Sequence, residues 1–133
     1  MLEFTLSKDK TYYIVTGCDK KAPSAIIPAE YNGLPVEEID KKAFSDCGYL
    51  KSLTILKNVR ILNRYTFHSC KYLNEVIIGN EVTSFCYQAF HACFELKKVN
   101  FLGTIDEWAE RNLAQAFEYE YDLYINDVLV TDV

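Results

Sequence analysis

Glycine and proline are scarce, five and three residues in a chain of 133. A collagenous or low-complexity chain would need far more of both. Positive charge is also short: 14 Lys and Arg stand against 19 Asp and Glu, for a net charge of −5. A basic footprint for nucleic acid is therefore missing, and so is a polybasic patch for a membrane surface. No apolar run approaches the roughly 18–20 residues a membrane span requires, so no membrane insertion is expected. The opening residues Met1 to Ser7 have neither a basic stretch nor an apolar one, so they do not read as a signal peptide. What remains is an ordinary globular balance, half hydrophobic and a quarter charged. Its length fits one domain, 1–133, with room for one core.

Cysteine is present but not in a familiar pattern. There are five, Cys18, Cys47, Cys70, Cys86 and Cys93, an odd number that cannot pair completely within one chain. No C-x-x-C occurs, which removes the best support for a zinc ribbon or a thioredoxin-type site. Three of the five, Cys47, Cys70 and Cys93, are separated by 23 residues each time.

That period organises the centre of the chain. With Ala43-Phe44, Thr66-Phe67 and Ala89-Phe90 in register, Val36, Val59 and Val82 align, as do Ile39, Leu62 and Phe85. Leu50, Leu73 and Leu96 align, then Leu53, Val76 and Val99, then Ile55, Ile78 and Phe101. The template V-x-x-Φ-x-x-x-[AT]-F-x-x-C-x-x-L-x-x-Φ-x-Φ, with Φ a large apolar residue, runs three times without insertion from Val36 to Thr104. Each copy ends in a short alternating stretch that reads as a strand with one face buried. A single such strand cannot bury its face, but stacked copies form a parallel sheet with rungs roughly 4.8 Å apart and continuous apolar ladders inside. A second extended piece is expected at Val36–Ile39, Val59–Leu62 and Val82–Phe85. The Ala-Phe-x-x-Cys segment between the two reads as a helical turn that drives Phe44, Phe67 and Phe90 into one column beside the thiol row.

The flanks read as closures, since an open solenoid exposes apolar faces and strand edges. Phe4–Leu6 and Tyr12–Val15 alternate around Ser7-Lys8-Asp9-Lys10 and predict an N-terminal β-hairpin, followed by a strand at Ala25–Ile27. Thr104 and Glu107 have the spacing of a capping box. Ile105, Trp108, Ala109, Leu113, Ala116 and Phe117 then follow at helical spacing and predict an amphipathic helix. Tyr121–Ile125 and Val128–Val133 flank Asn126-Asp127 as a hairpin. The predicted organisation is thus 1–35 as an N-terminal cap, 36–104 as three repeats, and 105–133 as a C-terminal helix and hairpin. Val130-x-x-Val133 resembles the start of a further repeat, so a terminal cap and a longer array are both open.

These residues resemble the BspA-type leucine-rich repeat family. The resemblance is carried by Ile27-Pro28, by Tyr31-Asn32-Gly33-Leu34-Pro35-Val36, and by the three Ala/Thr-Phe-x-x-Cys-x-x-Leu units. Phe101 to Trp108 and Leu123-Tyr124-Ile125-Asn126 extend it over nearly the whole chain. It implies an α/β repeat fold, a short right-handed leucine-rich-repeat solenoid with a parallel β-sheet. It also implies a non-enzymatic role in adhesion or protein binding at a cell surface, with no catalytic residues. The second copy departs from the pattern at Leu62-Asn63 and Thr66. The lack of a signal peptide keeps a cytoplasmic location open beside the extracellular one.

Candidate chemistry is sparse. His68-Ser69-Cys70 and His91-Ala92-Cys93 recur at the repeat period and would supply four zinc ligands if stacked, but the Cys position belongs to an inward ladder and the first copy has Ser45 in place of the histidine. A Cys–His nucleophile needs a reachable thiolate and an orienting third group, and neither is visible. Free thiols are the default, because parallel side chains on adjacent rungs disfavour disulfides along the ladder. The acidic residues Glu37, Glu38, Asp40, Asp106 and Glu107 match no calcium loop, and Gly33 and Gly79 sit in expected turns without a phosphate-binding fingerprint. No metal or cofactor is expected. For binding, two surfaces stand out. Tyr49 and Tyr72 lie one repeat apart and outside the core pattern, as an exposed aromatic ladder for an interface or as a stabilising stack between rungs. The outward face of the main sheet would present Ser52, Thr54, Glu75, Ile77, Lys98 and Asn100. The expected partner is a protein or glycan, with self-association through the coil ends as the alternative and a metal or Cys/His enzyme behind both.

Overall fold

The stacked copies form two columns of strands joined by turns. The structure, a computed structural model, describes residues 1–45, 47–83 and 88–131. Phe85, Cys86 and Val133, which the sequence places in the second column, the thiols and the last hairpin, lie outside the described residues.

The main column contains β3 (Ser24–Ile27), β6 (Ser52–Ile55), β8 (Glu75–Gly79), β9 (Lys98–Leu102) and β10 (Asp122–Ile125), all parallel, with β11 (Val128–Leu129) turned back antiparallel on β10. Register follows the sequence template. Leu53 lies opposite Val76 and Val76 opposite Val99, while Ile55, Ile78 and Phe101 form the next ladder. The alignment extends one rung beyond the template on each side. Ala25 and Ile27 sit opposite Leu53 and Ile55, and Leu123 and Ile125 sit opposite Val99 and Phe101.

The second column is shorter. β1 (Glu3–Leu6) and β2 (Tyr13–Gly17) make an antiparallel hairpin, and β2 then runs parallel to β5 (Leu34–Ile39). β5 carries β7 (Ile61–Leu62) in parallel and β4 (Glu30–Tyr31) antiparallel. Val15, Ile39 and Leu62 stand side by side in this column and are all buried. The β4–β5 turn has Asn32 and Gly33 at φ 50° and 82°, and the β10–β11 turn has Asn126 and Asp127 at 48° and 71°. Both are two-residue hairpins whose twist matches the strands, which is why Asn, Asp and Gly occupy them.

The turn segments build the core between the columns. Phe44 and Phe67 pack with centroids 4.9 Å apart, and Phe67 and Phe90 stack at 4.9 Å. Phe117 continues the column 4.8 Å beyond Phe90, a rung the template does not contain. Each of the three repeat phenylalanines is at most 1 % exposed. Left-handed φ values at Tyr65, Ser69, Gln88 and Ala92 are unusual for residues with side chains. They are held by bonds between rungs: Phe67 N–H donates to Ala89 O at 2.8 Å, and Ser69 N–H to His91 O at 2.8 Å. Thr66, an oddity by the template, is buried with its hydroxyl donating to Asn63 O at 2.7 Å, and Asn63 Nδ2 donates to Ile39 O at 2.9 Å. The polar pair of the second copy is thus satisfied internally, as a buried hydroxyl must be.

Three expectations are corrected. The helical spacing over 105–117 does not give one helix. α1 spans Ile105–Glu110, with the Thr104/Glu107 capping box formed in both directions, and a 3-10 turn follows at Leu113–Ala116. Asn112 separates them at φ 54°, a left-handed conformation that ends an α-helix. The break lets Trp108 reach Phe101 at 5.4 Å while Phe117 still joins the phenylalanine column. Gly79 is not in a turn. It is a buried residue at the end of β8, where an added Cβ would lie 3.1 Å from the Leu56 carbonyl carbon. Free thiols are not general either. Cys18, just past β2, is joined to Cys47 in a disulfide that ties the N-terminal hairpin to the first repeat, whereas Cys70 and Cys93 are free and buried. Cys18 lies off the ladder, so the parallel side-chain directions that disfavour bonds along it do not apply to this pair.

Candidate binding surfaces

The outward face of the main sheet is largely occupied by its own contacts. Ser52, Glu75 and Lys98 form one row across the strands, and Thr54, Ile77 and Asn100 the next. Lys98 Nζ lies 3.3 Å from Glu75 Oε2 and 4.5 Å from the centre of the Tyr124 ring, so both its charge and its stem are engaged. Asn100 corrects the sequence reading. It is 3 % exposed, its Nδ2 donating to Asp127 Oδ1 at 2.6 Å and its Oδ1 accepting from the Asp127 N–H at 3.0 Å. The C-terminal hairpin folds its turn over Asn100, and no strand-pattern argument shows that the next element will lie there. Ser52, Thr54 and Ile77 are only partly exposed.

The turn segments present a different surface. Tyr49 and Tyr72 are 62 % and 59 % exposed, and among the described residues neither ring packs against another ring. They therefore do not stabilise one another as a stack. Both border an open groove of about 920 Å³, with Tyr65, His68 and Lys71 and the small residues Ser45, Gly48 and Ser69 completing its wall. Tyr65 is anchored: its hydroxyl donates to Gln88 Oε1 at 3.0 Å, and its ring meets His68 and His91 edge-on at 5.6 and 5.3 Å. The groove thus has one fixed aromatic wall and two free-standing rings. Sequence reasoning found the two tyrosines and missed Tyr65 and Lys71. The only sequence signal for this wall was the period-23 row Ser45, His68, His91.

The histidines stack on each other at 5.0 Å, and His91 Nδ1 lies 2.5 Å from Glu118 Oε2. The thiols two residues further along are in the core. Cys93 Sγ donates to Phe67 O at 3.1 Å, and the Cys70 thiol is pushed up by its hydrogen bond with Cys93 and by burial. Both thiols are about 1 % exposed, and thiols buried in this way are inert as nucleophiles. Among the described residues, no group of three or more His, Cys, Asp or Glu side chains is placed to hold a metal ion.

Glu118 has a titration consequence. The hydrogen bond from His91, followed by those from the Ala92 N–H and Gln88 Nε2, holds its carboxyl below the usual carboxylate range. A depressed folded-state value stabilises the fold above the unfolded value of about 4.3, and that stability is lost as pH falls through the folded value. Thermal unfolding of Glu118→Gln is therefore expected to fall below wild type at neutral pH, with the two curves converging as pH drops under about 4. A gap independent of pH would show that the carboxylate is not the stabilising form.

A family model of the BspA type leucine rich repeat region (6 copies) matches residues 31–123. The chain belongs to the BspA-type leucine-rich repeat family. Its solenoid of stacked coils around a parallel sheet, with little helix, is the architecture the repeat implies. Two solved structures are similar to it. A leucine rich repeat protein of T. pallidum is 22 % identical with a TM-score of 0.47, over 74 % of this chain and 68 % of that one. A leucine rich cell surface protein from Faecalibacterium prausnitzii is 18 % identical with a TM-score of 0.47, over 89 % of this chain and 41 % of that one. This BspA-type chain thus spans less than half the length of the second. No curated protein matches it. Among the described residues, no helix is long and apolar enough to cross a membrane.

Proposed function

We propose that this BspA-type chain is a non-enzymatic binding module that presents its tyrosine groove to a protein or glycan partner at a cell surface. One observation carries the reading. Tyr49 and Tyr72, on consecutive repeats, hold about 60 % of their surface in solvent at the rim of a groove whose third aromatic wall, Tyr65, is fixed. Tyrosine supplies a large amphipathic contact at low entropic cost, and it is enriched among the residues that dominate interface energy. The wall residues Tyr65 and Ser69 are held by backbone bonds to Gln88 and His91 on the next rung, so that wall requires little ordering on binding. The sheet face is the weaker candidate, since Lys98, Glu75 and Asn100 are already paired. Display at a cell surface rests on the family alone.

The test is a glycan array together with immobilised extracellular-matrix proteins, probed with the wild-type chain and with Tyr49→Ser/Tyr72→Ser. Wild type is expected to bind at least one probe at micromolar concentration. The double variant should bind it at least about tenfold more weakly with an unchanged melting temperature. No binding to any probe, or binding indifferent to the two tyrosines, would remove the reading.

A further inference from the structure

Among the described residues the main sheet ends in two unpaired edges, and their side chains are complementary. At one end is β3. The carbonyls of Pro23 and Ile27 accept from Ser52 and Leu56 of the neighbouring rung, so the N–H and C=O of Ser24 and Ile26 point away from the sheet. Ile26 is 61 % exposed on the outward face. On the core side of the same edge lies an apolar socket of about 300 Å³, floored by Phe44 and Leu50 and rimmed by Leu2, Ala22 and Ala25.

At the other end is β11. Val130 N–H donates to Leu123 O at 2.8 Å, which turns the N–H and C=O of Leu129 outward. Leu129, opposite Tyr124, projects on the outward face. Val128 and Val130 lie opposite Ile125 and Leu123, residues whose rung partners Phe101 and Val99 are in the core. Val128 and Val130 thus point to the core side, yet they are 68 % and 41 % exposed because nothing among the described residues covers them.

Negative charge gathers at the C-terminal end. Residues 105–133 carry eight acidic side chains and one basic, a net −7, while residues 1–104 carry eleven acidic and thirteen basic, a net +2. Lys20 and Lys21 lie beside the socket residue Ala22. The cap 1–35 itself balances four acidic and four basic residues, and Asp19 also lines the socket, so the attraction available to the acidic C-terminal end is that of Lys20 and Lys21.

We propose that the occupant of both edges is a second copy of this chain, added head to tail. β11 of one copy pairs antiparallel with the open edge of β3 in the next, so that the strands of the two main sheets run the same way. Val128 and Val130 enter the socket over Phe44 and Leu50, and Leu129 lies beside Ile26. Such an interface is heterologous: it uses two different patches and does not close on itself, so it produces dimers and then linear oligomers.

The test is sedimentation velocity of the whole chain over a roughly hundredfold concentration range, with Ile26→Lys and Val128→Lys as variants. Both positions are exposed, so both variants should keep the wild-type melting temperature. Wild type is expected to form a concentration-dependent series that weakens with salt, and each variant alone to weaken association at least tenfold. An equimolar mixture of the two variants retains one intact socket and one intact hairpin. It should give a 1:1 dimer and nothing larger. A wild type that stays monomeric, a single variant that still dimerises fully, or a mixture that stays monomeric would each overturn the proposal.

Discussion

Replacing Phe67 with alanine is expected to remove about 3–5 kcal/mol of stability, the usual loss for a fully buried phenylalanine. Phe67 is 0 % exposed and packs against Phe44 on one side and Phe90 on the other, at 4.9 Å in each case. Its removal weakens two interfaces between rungs at once, in a fold whose stability comes from nearest-neighbour stacking. Against a total of about 5–15 kcal/mol for a domain, that is a large fraction, and denaturant unfolding should move to a much lower midpoint. Phe67→Leu should retain more of the stability, because it leaves a smaller void. A loss under about 1 kcal/mol for the alanine variant would mean that the aromatic column is not the spine of this solenoid.

Replacing Trp108 with alanine should remove a comparable amount of local packing, about 3–5 kcal/mol by the same reasoning, but with a different pattern. Trp108 is 7 % exposed and meets Phe101 of β9 at 5.4 Å and Phe117 at 6.2 Å, so it binds α1 and the 3-10 turn to the C-terminal end of the solenoid. Stacked units lose terminal elements without losing interior ones. Hydrogen exchange should therefore accelerate over α1, the 3-10 turn and β10, while the amides of β6 and β8 stay protected. Equal acceleration in all of these strands would show that the chain unfolds as one cooperative unit and that the repeats have no independent stability.

The two variants separate properties that have different origins in the chain. Phe67 was readable in advance, because its position repeats every 23 residues and only a stacked arrangement hides three such residues together. The same holds for Leu53, Val76 and Val99, whose register in the sheet matches the template residue for residue. Thr104 and Glu107 were readable for a local reason, since a capping box involves only residues three apart. Phe117 was not readable as a member of the phenylalanine column. It lies 27 residues beyond Phe90, off the period, and reaches its place only because Asn112 breaks the helix before it.

The candidate surfaces divide in the same way. Tyr49 and Tyr72 follow from the period and from being excluded from the core pattern. The groove beside them does not, because Tyr65 is held there by Gln88 and the two histidines across neighbouring rungs. Asn100 has the sequence signature of an outward polar residue, and the hairpin that returns over it makes it buried.

Periodicity by itself determined the stacking of the coils and the identity of the apolar ladders, because a 23-residue repeat with an unburied face has one economical way to bury it. The tertiary structure alone decided which outward residues remain free, which cysteines meet and which sheet edges stay open. Those outcomes depend on where the non-repeating flanks, 1–35 and 105–133, fold back onto the repeats, and contacts between distant segments leave no period in the chain to read.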